Sequence, residues 1–133
     1  MIDTNIVLVA HLKADAGVAA LVGTRVYCPR LPQGADLPAI GLFTRGGLST
    51  PYIPGYLNPS VQIDCWAHDH IEARSIYRAV YDALQGIQNV TVTIGTTDYF
   101  ILSAEEEVQG QDLVDIEIPN YFRVLTFFSI IVR

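Results

Sequence analysis

The sequence is poor in cationic side chains and has no cluster of them. Eight Lys and Arg residues stand singly among 133 residues, against fourteen Asp and Glu residues, and the net charge is −6. Proteins that bind nucleic acid through its phosphates present clustered cations, so the sequence argues against that class. The acidic balance suits either solubility or a surface past which DNA slides without adhering.

We expect no leader, and the sequence has no long apolar run. The first ten residues carry Asp3 and no basic segment, and the apolar run Ile6–Ala10 is too short to span a bilayer. We therefore expect synthesis in a reducing cytoplasm and no membrane partner. The two cysteines, Cys28 and Cys65, are expected to be free thiols, with a disulfide between them as the alternative.

No set of residues has the spacing of a catalytic or cofactor site. Cys65, His68 and His70 lie close together, but a zinc site needs further ligands and no second Cys/His pair follows. Nothing in the sequence places a cysteine beside a histidine base, and no serine has a nucleophile-elbow context. We expect no catalytic residue, no metal and no cofactor, and an enzyme would require an aligned nucleophile and base.

Apolar residues make up 50% of the sequence, whereas only 17% of its residues are charged. A chain of this length suits one domain with one core, and we assign residues 1–133 to a single domain. So many apolar residues predict exposed apolar patches and hence an oligomer, with an unusually large core as the alternative.

The periodicity predicts an α+β fold with an antiparallel or mixed sheet of four to five strands and two main helices on one face. A helical region begins at Asp3 or Thr4, has a second cap at Asp15 and closes at Gly23, as one broken helix or two. The other helix begins at Asp69. It has an apolar stripe and is closed by Gly86. Strands are predicted at 39–44, 61–66, 90–94, 99–102 and 122–132, with a further edge segment at 113–118.

The last strand is apolar on both faces, which predicts a helix on one side and a helix or partner on the other.

Between the first two strands, residues 46–59 form a long loop rich in proline and glycine. Long loops in compact domains are often functional, and tyrosine is enriched at protein contacts. Tyr52, Tyr56 and the adjacent Leu57 are therefore candidate interface residues; the alternative is that the tyrosines fold back onto their own sheet.

Glu105, Glu106 and Glu107 form the densest run of charge. In an extended strand the first and third carboxylates share a face and the second opposes them. The commonest setting for such a run is a solvated strand end or loop. An acidic lumen is the second interpretation, and a divalent-cation site a third.

Four segments in order resemble the tail-completion (tail-terminator) proteins of long-tailed bacteriophages. They are the opening Leu12–Tyr27, the connector Leu31–Ile40, the centre Val61–Ala67 with the helix that follows, and the closing Tyr121–Phe127. Cys28, the 46–59 loop and the Pro119-Asn120 break depart from the pattern.

This resemblance implies a structural role without catalytic residues. Members of the family form a ring, commonly of six copies, on the tail-tube protein at the head-proximal end of the tail. They stop tube growth, give the head–tail connector protein a docking surface, and let DNA pass without specific binding. The implied location is the virion, after assembly in the host cytoplasm of a phage, prophage or domesticated tail-like particle. The alternative is a small-molecule or peptide-binding α+β module without catalysis, which would show a concave apolar pocket.

Overall fold

The computed structural model describes residues 2–29, 31–49, 51–53, 55–114 and 121–133. Three helices and six strands follow one another in the order α1 (Thr4–Ala14), α2 (Ala16–Val22), β1 (Val26–Tyr27), β2 (Ala39–Leu48), β3 (Asn58–Ala67), α3 (His70–Leu84), β4 (Gln88–Ile94), β5 (Thr97–Val114) and β6 (Phe122–Val132).

The strands form one mixed sheet in the order β1-β2-β3-β6-β5-β4. Neighbours are antiparallel except β1, which runs parallel to β2 and pairs with it through two residues. The predicted α+β class is confirmed. The strand number is higher than predicted because Val26–Tyr27, where no strand was predicted, forms β1.

Each helix begins at an aspartate whose side chain accepts a backbone N–H. Asp3 accepts from Asn5, Asp15 from Val18, and Asp69 from Ile71, at 3.0, 3.0 and 2.7 Å. Because Asp15 itself has extended backbone angles, α1 and α2 are two helices rather than one. Among the described residues no single helix has the length and apolarity to cross a membrane. α1 and α2 together meet that test by length and composition only, and the chain bends by 84° between them.

The core lies between the helices and one face of the sheet. Val61, Ile63 and Cys65 of β3 are fully buried on this face, as the predicted alternation requires, and the β6 side chains Val124, Phe128 and Ile130 lie beside them. The opposite face of β6 carries half-buried Leu125, Phe127 and Ile131. The helices of the described chain pack on the core face only, so the cover predicted for the other face is not a helix of this domain.

Four strands, β2 to β5, are longer than predicted, and for β2 and β5 the correction has a local cause. β2 continues past Thr44 to Leu48 through a bulge, where Gly46 and Gly47 adopt positive φ angles. The predicted 46–59 loop therefore shortens to 49–57. β5 runs for 18 residues and contains the Glu105–Glu107 run, which is thus not at a strand end or in a loop. Residues 113 and 114 of the predicted edge segment belong to β5, and 115–118 lie outside the described residues.

Candidate functional site

The end of the β2–β3 hairpin carries the most exposed apolar side chains of the described chain apart from Ile71. Leu48, Tyr52 and Ile53, which we call the apolar tip, are 77%, 89% and 56% exposed. No residue of the 46–59 stretch is charged. Exposed apolar side chains grouped in this way mark a contact surface.

The other two predicted interface residues are less exposed than Tyr52. Tyr56 and Leu57 are half-buried. Leu57 exchanges two backbone hydrogen bonds with Val132, of 3.1 and 3.0 Å, which fix the base of the loop to the end of β6. Beside this base lies an open groove of about 560 Å³, lined by Leu57, Pro59 and the start of α1. Tyr52 is therefore presented outward, whereas Tyr56 and Leu57 lie nearer the body of the domain.

Sequence reasoning missed Leu48 and Ile53 as candidate interface residues. Leu48 was overlooked because the strand was predicted to end at Thr44, four residues earlier. A signal did exist for both: each is a large aliphatic residue in a stretch without charge and with several prolines, where no buried element was predicted. Neither was weighed because the prediction considered only the two tyrosines and the adjacent Leu57.

The acidic run divides between the two sheet faces as its alternation predicts. Glu105 and Glu107 lie on the face without helices, and Glu107 forms a 3.5 Å ion pair with Arg45. The Arg45 guanidinium also lies 3.9 Å from the centre of the Phe127 ring. The helix-free face thus carries a short row of carboxylates beside half-buried aromatic residues.

Glu106 points the other way, into a hydrogen-bond network under α3. Its carboxylate accepts bonds from the Tyr77 and Thr126 hydroxyls at 2.7 and 2.8 Å. Burial and, to a smaller extent, the hydrogen bond to Glu106 raise the pKa of Tyr77 to about 12. Of the three glutamates proposed for an acidic lumen, Glu106 is therefore engaged inside the domain.

The histidines and cysteines are not brought together. Cys65 is buried in the core and its burial raises the pKa of its thiol, while His68 and His70 pack against the rings of Tyr121 and Phe122. Cys28 is exposed, and both cysteines are free thiols, as predicted. In the part of the chain that the structure describes, no three His, Cys, Asp or Glu side chains are grouped as metal ligands.

Comparison with known proteins identifies a matching family and a solved structure of similar fold. The sequence model of a family described as "Tail completion protein gp17" matches residues 6–120. A chain in a solved structure, "Virion of native gene transfer agent (GTA) particle", has the same fold with a TM-score of 0.61 at 22% identity, over 97% of this chain and 94% of that chain. No curated protein matches.

Proposed function

The chain belongs to the tail completion protein gp17 family, and on that premise we propose that it caps the tail tube and joins the tube to the head connector. Membership makes it a structural protein of a phage tail. In the proposal, six identical copies close into a ring at the head-proximal end, and DNA passes through without specific binding. The observation that carries the proposal is the family match over residues 6–120.

Two surfaces of the domain support a ring. A closed ring of identical subunits needs two different complementary patches on each subunit. The apolar tip offers one projecting patch, and the helix-free sheet face offers another, with half-buried Phe127 and Leu125. Separately, a chain of similar fold is part of a gene transfer agent virion, which supports a place for this chain in a particle.

We propose that the apolar tip, with Tyr56 and Leu57 at its base, contacts a neighbouring copy or the tail tube. The test is a Tyr52→Ala/Tyr56→Ala double variant, which should lower the yield of completed tails in a complementation assay. Ile71→Ala is the matched control, because Ile71 is 78% exposed but lies on α3, away from the hairpin. A normal yield of completed tails from the double variant would count against this contact.

We also propose that Glu105 and Glu107 face the channel of the ring, where like charge repels the DNA backbone. Glu105→Lys should then slow the passage of DNA, measured as release from purified particles. Asp82→Lys, at an exposed position on α3, is the control for the change in net charge. A ring structure with these two carboxylates on its outer rim would remove the idea.

A further inference from the structure

Apart from the outer edge of the two-residue β1, the described sheet has three stretches of strand edge without a neighbouring strand, and side-chain hydrogen bonds hold two of them. The first is the outer edge of β2, where β1 pairs with Ile40 and Gly41 only. Beyond that point α1 lies against β2, and the Thr44 hydroxyl donates a 2.8 Å hydrogen bond to the Asn5 side chain. A helix laid over an edge is one of the ways in which proteins prevent unwanted strand pairing.

The second stretch is the outer edge of β5, where pairing with β4 stops at Ser103. Side chains of the α3 region replace the missing strand. The Gln85 side chain accepts the Glu106 backbone N–H at 2.7 Å, and the Tyr77 hydroxyl accepts that of Gly110 at 3.1 Å. Arg74 donates to the Gly110 carbonyl at 3.1 Å. The backbone groups of this edge are thus bound by side chains.

The third stretch, the outer edge of β4, also lies beside α1, but no hydrogen bond between described residues ties it to that helix. Within the described ranges no backbone hydrogen bond joins this edge to another element. Its sequence, Gln88–Ile94, has no charge and no proline, which are two of the devices that protect edge strands. Asn89 has a φ of +52°, so the extended part of this edge is Val90–Ile94, whose composition makes it a template for an added strand.

The register identifies the backbone groups that an added strand would meet. Phe100 exchanges both of its backbone hydrogen bonds with Arg133, so its groups point away from β4. Thr91 lies opposite Phe100, which places Thr91 at a position not hydrogen-bonded to β5. The N–H and C=O of Thr91, and by the same alternation those of Thr93, therefore point outward from the sheet.

Next to this edge lies an apolar surface without cover. α1 is apolar around most of its circumference, a pattern typical of a helix buried on all sides. Yet Ile6 is 53% exposed and Val9 and Ala10 are half-buried. These three side chains line a groove of about 450 Å³ that reaches from Ile94 at the end of β4 to Cys28 at the end of β1.

We propose that the outer edge of β4 binds an extended, uncharged segment of another protein of the same particle, as an added strand. Alternate side chains of that segment are apolar and pack on Ile6, Val9 and Ala10, while its backbone bonds to Thr91 and Thr93. An uncharged partner is required because β4 presents no charge and the groove lining offers only Asp3 and Lys13, one of each sign. This rests on the proposed function, because the partner is another component of the tail.

The first test compares hydrogen–deuterium exchange of the full chain, free and in purified tails. We expect the Thr91 and Thr93 amides to exchange at least about tenfold more slowly in tails. Unchanged exchange in tails that contain the chain overturns the strand-addition site and leaves the proposed function standing. Purified tails that do not contain the chain would overturn both the strand-addition site and the proposed function.

The second test uses proline, which removes an N–H without changing β4–β5 pairing when that N–H points outward. Thr91→Pro should reduce incorporation into tails at least tenfold, and Thr91→Val should not. If Thr91→Pro fails to fold by circular dichroism, Ile6→Glu replaces it, with Ile71→Glu as its exposed control. Two results would overturn the proposal. One is incorporation of Ile6→Glu at the level of its control. The other is a dimer of the free chain that Thr91→Pro abolishes, because a second copy of the chain would then occupy the edge.

Discussion

The Tyr77 hydroxyl donates a 2.7 Å hydrogen bond to the Glu106 carboxylate and accepts the Gly110 backbone N–H at 3.1 Å. One side chain of α3 thereby holds β5 on both sides of its irregular stretch, where the register with β6 shifts between residues 106 and 111. Gly110 allows this approach, because a Cβ at that position would lie 2.9 Å from the Tyr77 ring. The acidic strand is fixed to the helix layer through this contact.

Tyr77→Phe should lower the free energy of unfolding by roughly 1–3 kcal/mol, since it leaves a half-buried carboxylate and a backbone N–H with one partner fewer. Urea denaturation measures the change. Tyr81→Phe is the control: its ring lies 6.3 Å from that of Tyr77, and its hydroxyl has no hydrogen bond to any described residue. Equal effects of the two substitutions would show that the network adds nothing.

The raised pKa of Tyr77 predicts a pH dependence of stability. The fold favours the protonated hydroxyl, with a pKa of about 12 against an ordinary value of 10.0. Its contribution is therefore fully present below pH 10 and is lost as the pH rises toward 12. The difference in unfolding free energy between the wild type and Tyr77→Phe should shrink over that range. A difference that stays constant would contradict the assignment.

Gly47→Ala should disrupt the bulge that extends the hairpin. Gly47 has a φ of +132°, and a Cβ there would lie 2.5 Å from the Asn58 carbonyl oxygen. Gly46→Ala tests the backbone conformation alone, because Gly46 has a φ of +117° and open space around it. We expect Gly46→Ala to cost about 1–3 kcal/mol and Gly47→Ala clearly more, measured by thermal unfolding. Equal losses would show that the close approach to β3 is unimportant.

Asp64 and Arg123 form a partly buried ion pair on the helix-free face, with 3.8 Å between Nη1 and Oδ1. Burial raises the pKa of Asp64, and the Arg123 charge and the Gln62 side chain oppose that rise. Arg123→Met should therefore destabilise the domain by about 1–3 kcal/mol, because it leaves a buried carboxylate unpaired. Asp64→Asn/Arg123→Met should recover most of this loss in urea denaturation. Additive losses would mean that the two side chains act independently.

Local signals in the sequence were sufficient for the helix starts and the core face. Asp15 and Asp69 each precede an apolar periodic stretch, and both cap a helix in the structure. The alternation of Val61, Ile63 and Cys65 identified the buried side of β3. Such features depend on neighbouring residues alone, so a single sequence contains them.

The missed features depend on contacts between distant residues. Gly46 and Gly47 were interpreted as the end of a strand, but they form a bulge because β3 pairs across them. The polar stretch from Glu105 to Asp112 is a strand because β6 and the side chains of α3 hold it. For the candidate surfaces, the sequence identified Tyr52 but not Leu48 or the unpaired edge of β4, since exposure is set by the tertiary fold.

We propose above that identical copies close into a ring on the end of the tail tube. Light scattering of the purified full chain, with and without isolated tail tubes, combined with electron microscopy of the mixture, tests it most directly. We expect a ring of six copies at one end of each tube. A chain that stays monomeric and leaves the tube ends bare would contradict the account.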